Sequence, residues 1–377
     1  MGTKENIPSE MTDDFDSKIE ELMELGHMPS LVACIVKNNE TVWSKGYGYA
    51  DLSPLNKRKA TPDTVYPIAS VSKSVCAVAI MQLYEKGLID LDDDVSKYLP
   101  FDLKNPKYPE VNITFRMLMA HQSSIADTTL RFLLYFTVLK IPYSRLDDYF
   151  LPGGSFYSSK VWNDYSPGEG ACYSTQNNEI LSYALQQITN QSYADYCQEN
   201  IFEPLQMYNT SFYFSDYNKD ELAGLYVWVR GVYLPMPHLE PTSHAGAGVK
   251  TTISDFSHFL IMHTSGGVYD GVRILSEESV ELMHSVQYPG YYDEECLHGF
   301  GWFQYTGLDG ETYGGHSGRH HGAGAQLRMR YSDKVGILFF WNQFAFFRSY
   351  ILKNPPPEES EARTEIIKAL FDKADEL

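Results

Sequence analysis

The chain has 377 residues, and 30 Lys+Arg against 49 Asp+Glu give it a formal net charge of −19. Hydrophobic residues make up 43% and charged residues 21%, a globular composition that excludes disorder, collagen and coiled coil as the overall class. The acidic balance argues against nucleic acid, whose phosphates need a basic footprint, and against an anionic membrane surface.

In chain order, residues 13–25 read as an amphipathic helix. Ser30–Lys37 and residues 41–49 read as strands joined at Asn38-Asn39, a hairpin turn. Residues 72–86 are rich in Ala, Val, Met and Leu at helical spacing, and Gly87 closes them. Further helical patterns run over 113–121, 179–188, 192–201, 254–265, 276–286 and 358–376. Residues 325–330 and 335–341 read as strands. Strand-bearing ends around a helical middle predict an α/β domain from 12–70 and 245–377, with a mostly helical domain inserted at 71–244. Residues 1–11 read as a flexible N-terminus.

The five cysteines are widely spaced without a C-x-x-C, so neither a zinc site nor a disulfide framework is expected. Reduced thiols suit a cytosolic compartment. The start MGTKENIPSEMTDD lacks an apolar signal core, which predicts a cytoplasmic protein unless a leader has been removed. The longest apolar runs, 132–139 and 337–347, fall short of the about 20 residues a spanning helix needs. The run 130–139 suits a lid or an acyl-binding wall, or a buried helix. With 28 Tyr and 20 Phe, the chain has the aromatics for a lined cleft or a sticky oligomer surface, without demanding either.

Three short motifs could carry chemistry. In Ser70-Val71-Ser72-Lys73, a helix would bring Ser70 and Lys73 onto one face. A lysine whose pKa is lowered can take the proton of a serine hydroxyl, and a helix start aims N–H groups at a developing oxyanion. Tyr173-Ser174-Thr175 could place a phenol beside that lysine as base or relay. Gly315-His316-Ser317-Gly318 would let a substrate lie against bare backbone, with His316 as a polar contact. Singly, these read as an ordinary helix start, one tyrosine among many and a glycine-rich hairpin.

The ordered set resembles the active-site triplet of the serine β-lactamase and penicillin-binding protein superfamily, in its class C-like branch. That branch holds DD-peptidases, D-aminopeptidases, family VIII esterases and LACTB-like proteins. Supporting stretches are Ile113-Thr-Phe-Arg-Met-Leu-Met-Ala-His-Gln-Ser-Ser, Phe202-Glu-Pro-Leu-Gln-Met-Tyr-Asn-Thr and Ala245-Gly-Ala-Gly-Val-Lys-Thr-Thr-Ile-Ser-Asp. The resemblance implies an α/β (α+β) fold of the β-lactamase/transpeptidase type: a mainly antiparallel sheet flanked by helices plus an inserted all-helical domain. It implies a serine hydrolase, peptidase- or esterase-like, with a small-molecule or peptide substrate and no metal or cofactor. Ser70 would be acylated, Lys73 would take its proton, Tyr173 would share the base role, and His316 would stand at the first place of the Lys/His-Thr-Gly element. The backbone N–H groups of Ser70 and Arg319 would form the oxyanion hole, with Thr175, Ser317 and Gly318 at the substrate.

The chain also departs from the pattern. Thr175 replaces an asparagine, which puts the hold on Lys73 or on a substrate amide in question. His316 replaces the lysine of β-lactamases, favouring peptidase or esterase chemistry. Ser124 stands in a glycine place and reads as structural. The alternatives weighed are a non-catalytic scaffold of the same fold, motivated by Thr175, and a class C-like β-lactamase. A metal cluster of His316, His320 and His321 is disfavoured by the glycines around it, and a G-x-S-x-G elbow fails at Arg319.

Overall fold

The computed structural model describes residues 14–128, 146–241, 243–288, 297–307, 309–344 and 357–377. Segment 1–11, the apolar run 130–139 and Cys296 lie outside the described residues. Helix α1 covers Asp14–Leu25. Strands β1 (Ser30–Lys37) and β2 (Glu40–Asp51) follow, with Lys37 paired to Glu40 across a two-residue turn. Asn38 and Asn39 have φ of 55° and 62°, the left-handed pair that matches the twist of a tight hairpin. After β3 (Arg58–Lys59) comes α2 (Ser72–Glu85), buried on every side from Ser72 to Leu83. Its all-round apolar pattern is therefore that of a central helix and not an amphipathic one.

The helix expected over 113–121 shortens to α3 (Phe115–Met119), whose first turn is capped by the Thr114 hydroxyl accepting from Met117 N–H. Helix α4 (Gln176–Thr189) is followed by α5 (Tyr193–Cys197), which widens into a π turn at Gln198–Phe202 instead of continuing. The stretch expected to be all helical also carries a hairpin, β4 (Leu225–Val229) and β5 (Val232–Met236). Arg230 and Gly231 make its turn with φ of 48° and 89°. Helices α6 (Ile253–Thr264) and α7 (Glu277–His284) come next, then β6 (Leu297–His298), β7 (Phe303–Thr306), β8 (Thr312–His320), β9 (Ala323–Arg330) and β10 (Gly336–Trp341). Helix α8 (Pro357–Glu376) ends the chain.

The eight-stranded antiparallel sheet has the order β6-β7-β8-β9-β10-β1-β2-β3. Strands from the two ends of the chain meet at β1–β10, where Leu31 pairs with Trp341 and Val36 with Gly336. Alternation splits their side chains between two cores. Val32, Cys34, Val36, Leu338 and Phe340 join α2, α4 and α6 in the larger one. Leu31, Ala33, Ile35, Ile337 and Phe339 pack with Ile19 of α1 and Ile366 and Leu370 of α8 in the smaller. Each such fully buried Leu, Ile or Phe contributes about 1.5–3 kcal/mol. Among the described residues no helix is long and apolar enough to cross a membrane, and Cys34, Cys76, Cys172 and Cys197 are unbridged.

Candidate active site

Ser70 lies in a single 3-10 turn, Ala69–Val71, that leads into α2. Ala69 has φ of 48°, a left-handed conformation that costs a non-glycine residue about 1–3 kcal/mol and persists only where surroundings enforce it. Enforcement comes from both sides. Ile68 N–H donates to Val249 carbonyl at 3.0 Å, and Val249 N–H donates to the Ser72 hydroxyl at 3.0 Å. On β8, a Cβ at Gly318 would fall 2.0 Å from the Ile68 carbonyl oxygen, so only glycine lets the strand run so close. Ser70 itself stays partly exposed at the surface of this wedge.

Lys73, one turn on, is fully buried. Its Nζ donates to Ser70 Oγ at 3.1 Å and to the Gly246 carbonyl at 2.7 Å. Burial pulls the ammonium down to about 7, with the Asp127 carboxylate and the Cys76 thiol opposing the fall. A lysine poised there is neutral in a large fraction of molecules at pH 7 and can receive a proton. The doubt raised by Thr175 has a structural answer: the Gly246 carbonyl holds the amine. A Cβ at Gly246 would lie 2.3 Å from the Thr175 methyl, so these two small groups fit each other.

Tyr173 faces the lysine, its ring centre 5.0 Å from Nζ. The turn behind it is anchored by residues from the Ile113 stretch and the loop after it. His121 Nδ1 accepts from Ser174 N–H at 3.3 Å and pairs with Asn177 Nδ2 at 3.1 Å, while its ring lies 4.5 Å from that of Tyr173. Asp127 accepts from Ser174 Oγ at 2.7 Å and from the backbone of Thr175 at 3.0 Å. Ser124, in the glycine place, has φ of 62° and its hydroxyl accepts from Asn105 at 3.0 Å.

His316 is buried, 6.1 Å from Tyr173 ring to ring and 4.7 Å from Phe303. Nδ1 lies 2.8 Å from the Ser317 carbonyl. A carbonyl only accepts, so Nδ1 carries the proton and Nε2 is left as the lone-pair nitrogen. Burial first, then the Lys73 charge, holds the imidazole well below its ordinary value. It is a neutral group. Pairing of β7 with β8 ends at Phe303–Gly315, so among the described residues β8 beyond that point has no strand paired to it on the β7 side. Ser317 differs from its expected role. Its hydroxyl faces the other side of the sheet, donating to Gln326 at 3.0 Å and accepting from Arg328 at 2.8 Å, which leaves only its backbone for a substrate. The Arg319 side chain also turns away, its guanidinium 5.6 Å from the Phe344 ring, while its backbone follows Gly318 on the strand.

Gly301, with φ of 59°, rests against the Lys73 backbone, where a Cβ would meet the carbonyl oxygen at 2.6 Å. The adjacent Trp302 turns to a second histidine cluster. His263 Nδ1 and His284 Nε2 are 3.0 Å apart, both rings stack near the indole, and Trp302 Nε1 donates to Tyr331 at 3.0 Å. A cavity of about 310 Å³ opens there, lined by His263, His284, Glu277, Glu281 and Lys334 among others. Among the described residues no group of three or more His, Cys, Asp or Glu is placed to hold a metal.

Residues 15–355 match the family described as Beta-lactamase. The chain belongs to the Beta-lactamase family. Among curated relatives, protein flp of Staphylococcus aureus (strain MW2) is 30% identical over 259 residues, 67% of this chain and 49% of that protein. Beta-lactamase-like protein 2 of Dictyostelium discoideum is 34% identical over 232 residues, 59% of this chain and 40% of that one. The matched chain thus spans half or less of these relatives' length. The octameric penicillin-binding protein homologue from Pyrococcus abyssi superposes with a TM-score of 0.71 at 25% identity, covering 92% of this chain and 78% of that one. The D-amino acid amidase from Ochrobactrum anthropi SV3 superposes with a TM-score of 0.74 at 20% identity, over 96% and 100%. The expected β-lactamase/transpeptidase-like fold is therefore the observed one.

The family motifs led to Ser70, Lys73, Tyr173 and His316, which the fold brings together. Asp127, Gly246, His298 and Gly301 were not singled out. Gly246 stands inside the Ala245-Gly-Ala-Gly stretch, which was a signal for position but not for role. His298, 5.5 Å from His121 and 4.6 Å from Phe303, had none.

Proposed function

We propose that the protein is a serine hydrolase that transfers the acyl group of an ester or amide to water through an acyl-enzyme on Ser70. The observation that carries this reading is the buried Lys73 amine, brought to about 7 and 3.1 Å from Ser70 Oγ. Lys73 takes the Ser70 proton as Oγ attacks the carbonyl. The negative oxygen of the tetrahedral intermediate is met by the backbone N–H groups of Ser70 and Arg319. Tyr173 passes the proton to the leaving group and then helps activate water for deacylation. The substrate chain lies along the unpaired stretch of β8, against Gly318 and the Ser317 backbone, with Thr175 on the opposite wall.

A neutral His316 supplies no fixed charge for a substrate carboxylate. That favours carboxylesterase or D-amino-acid-type peptidase activity over efficient β-lactam hydrolysis. An amidase and a penicillin-binding protein homologue among the fold neighbours are in keeping with this, and the octameric state of the latter makes a homo-oligomer the form to look for. The test is hydrolysis of p-nitrophenyl acetate and butyrate by wild type and Ser70→Ala, with intact mass after exposure to a penicillin. Ser70→Ala is expected to lose roughly a thousandfold or more in kcat. Equal rates in the two proteins refute the assignment. A folded wild type with neither turnover nor adduct favours a non-catalytic scaffold.

A further inference from the structure

We propose that Asp127 is a positioning residue of this site: its carboxylate fixes the Tyr173-Ser174-Thr175 turn at the start of α4 and sets the charge that Lys73 experiences. The inference rests on the reading of Ser70, Lys73 and Tyr173 as the reacting groups.

A helix leaves its first N–H groups without partners, and its own N-cap side chain ordinarily supplies one. Here it does not. Thr175 has φ −70° and ψ −23°, already helical where a capping residue is normally extended, and makes no side-chain cap. Asp127 does the work from a distant loop. Oδ1 accepts from Ser174 Oγ at 2.7 Å, Thr175 N–H at 3.1 Å and Gln176 N–H at 3.4 Å, and Oδ2 accepts from Thr175 N–H at 3.0 Å. A carboxylate at the positive end of a helix adds a favourable charge interaction to those bonds. His121 takes the remaining Ser174 N–H. The turn is thus pinned at its hydroxyl and at three successive amides, and Tyr173 is delivered to Lys73 by a rigid bracket.

The carboxylate has a second consequence. Besides the Ser70 hydroxyl and the Gly246 carbonyl, the titratable groups that act on the Lys73 amine among the described residues are Tyr173, Cys76 on its own helix, His121 and His316, with Asp127 as the carboxylate among them. Asp127 in turn acts on Cys172 and Lys73. Both imidazoles are held neutral by burial. Asp127 is therefore the carboxylate that offsets the desolvation of Lys73, keeping the amine basic enough to take a proton from serine. An amide in its place keeps the size, but removes the charge and sets an NH2 against N–H donors.

The experiment compares wild type with Asp127→Asn and Asp127→Ser, the latter keeping a hydroxyl that can cap a helix without charge. Ester hydrolysis is followed from pH 5 to 9. Lys73 is titrated independently by NMR in lysine-labelled protein, its signal assigned by loss in Lys73→Arg. Both variants should lower kcat about 10- to 100-fold with KM within about threefold. The ascending limb of kcat/KM and the NMR midpoint should both move to lower pH, by roughly one unit. An unshifted midpoint in a folded variant overturns the proposal, as does an effect confined to KM. Unfolding of both variants at 25 °C also overturns it, because Asp127 would then serve stability alone. If wild-type turnover proves independent of Ser70, the hydrolase reading fails while the NMR midpoint still decides Asp127.

Discussion

The two histidine clusters on either side of Gly301-Trp302-Phe303 are made of the same parts. Around Lys73 stand His121, His298 and His316 with Tyr173 and Phe303; around Trp302 stand His263 and His284 with Tyr331. In both, burial is the first cause that depresses the imidazoles: His298 falls to about 4 and His284 to about 3, the latter helped by the Lys334 charge. Strongly perturbed histidines are therefore no mark of chemistry in this molecule. What separates the clusters is an unlike partner. The first encloses an amine within reach of a partly exposed hydroxyl, while in the second two imidazoles share a single hydrogen bond between His263 Nδ1 and His284 Nε2. A perturbed group becomes reactive only when something beside it can exchange a proton with a substrate.

The largest break in this comparison should come from Lys73→Met, which removes the unlike partner. Turnover is expected to fall by roughly a thousandfold or more with little change in thermal unfolding. Wild-type activity should meanwhile rise with pH through about 7, because the neutral amine is the reactive form. A pH–rate profile with no ascending limb in that range would contradict the role of Lys73.

The second cluster should answer in stability and not in rate. His284→Leu leaves His263 Nδ1 without its bond and should cost about 1–3 kcal/mol in urea unfolding, with kcat within about threefold of wild type. The pH dependence has a definite sign. His284 binds a proton near 6.5 when unfolded but only near 3 when folded, so its contribution is intact above 6.5 and is lost as pH falls. The limiting slope is about 1.4 kcal/mol per pH unit for each such histidine. Unfolding midpoints between pH 7 and 5 should thus fall less steeply in His284→Leu, and an identical slope would remove His284 from the acid response. A hundredfold loss of kcat would instead join the two clusters functionally.

The smallest expected effect is at Ser124. Glycine relieves a left-handed φ of 62° but loses the hydrogen bond from Asn105. Each term is about 1 kcal/mol, so Ser124→Gly should change stability by less than about 1 kcal/mol. A larger loss would make the hydroxyl more than a compensation for the missing glycine.

Regular patterns were readable where local physics decides them. The Asn38-Asn39 turn and the run SLVACIVK announced a hairpin and a strand, and both are there; that the strand is buried on both faces came from the structure. The β4–β5 hairpin was announced too, by Val-Trp-Val before Arg230-Gly231 and Val-Tyr-Leu after, but helical neighbours masked it. The edge stretch of β8 could not be read by periodicity, since glycines at 314, 315 and 318 leave no side chains to alternate. At the site, family order singled out Ser70 and Lys73. Asp127 had no such signal, being one of 49 acidic residues and 46 positions before Tyr173, with a role defined only by folding.

The junction of β1 with β10 has a consequence for how the molecule comes into being. Leu31 cannot find Trp341 until every residue between them has left the ribosome. Ser70, Lys73, Asp127, Tyr173, Gly246 and His316 are all synthesised within that interval. The nascent chain therefore carries its nucleophile long before it has the sheet that shelters the partnering amine. Since pairings across such distances close slowly, the site and the closed sheet belong to the same late step of folding.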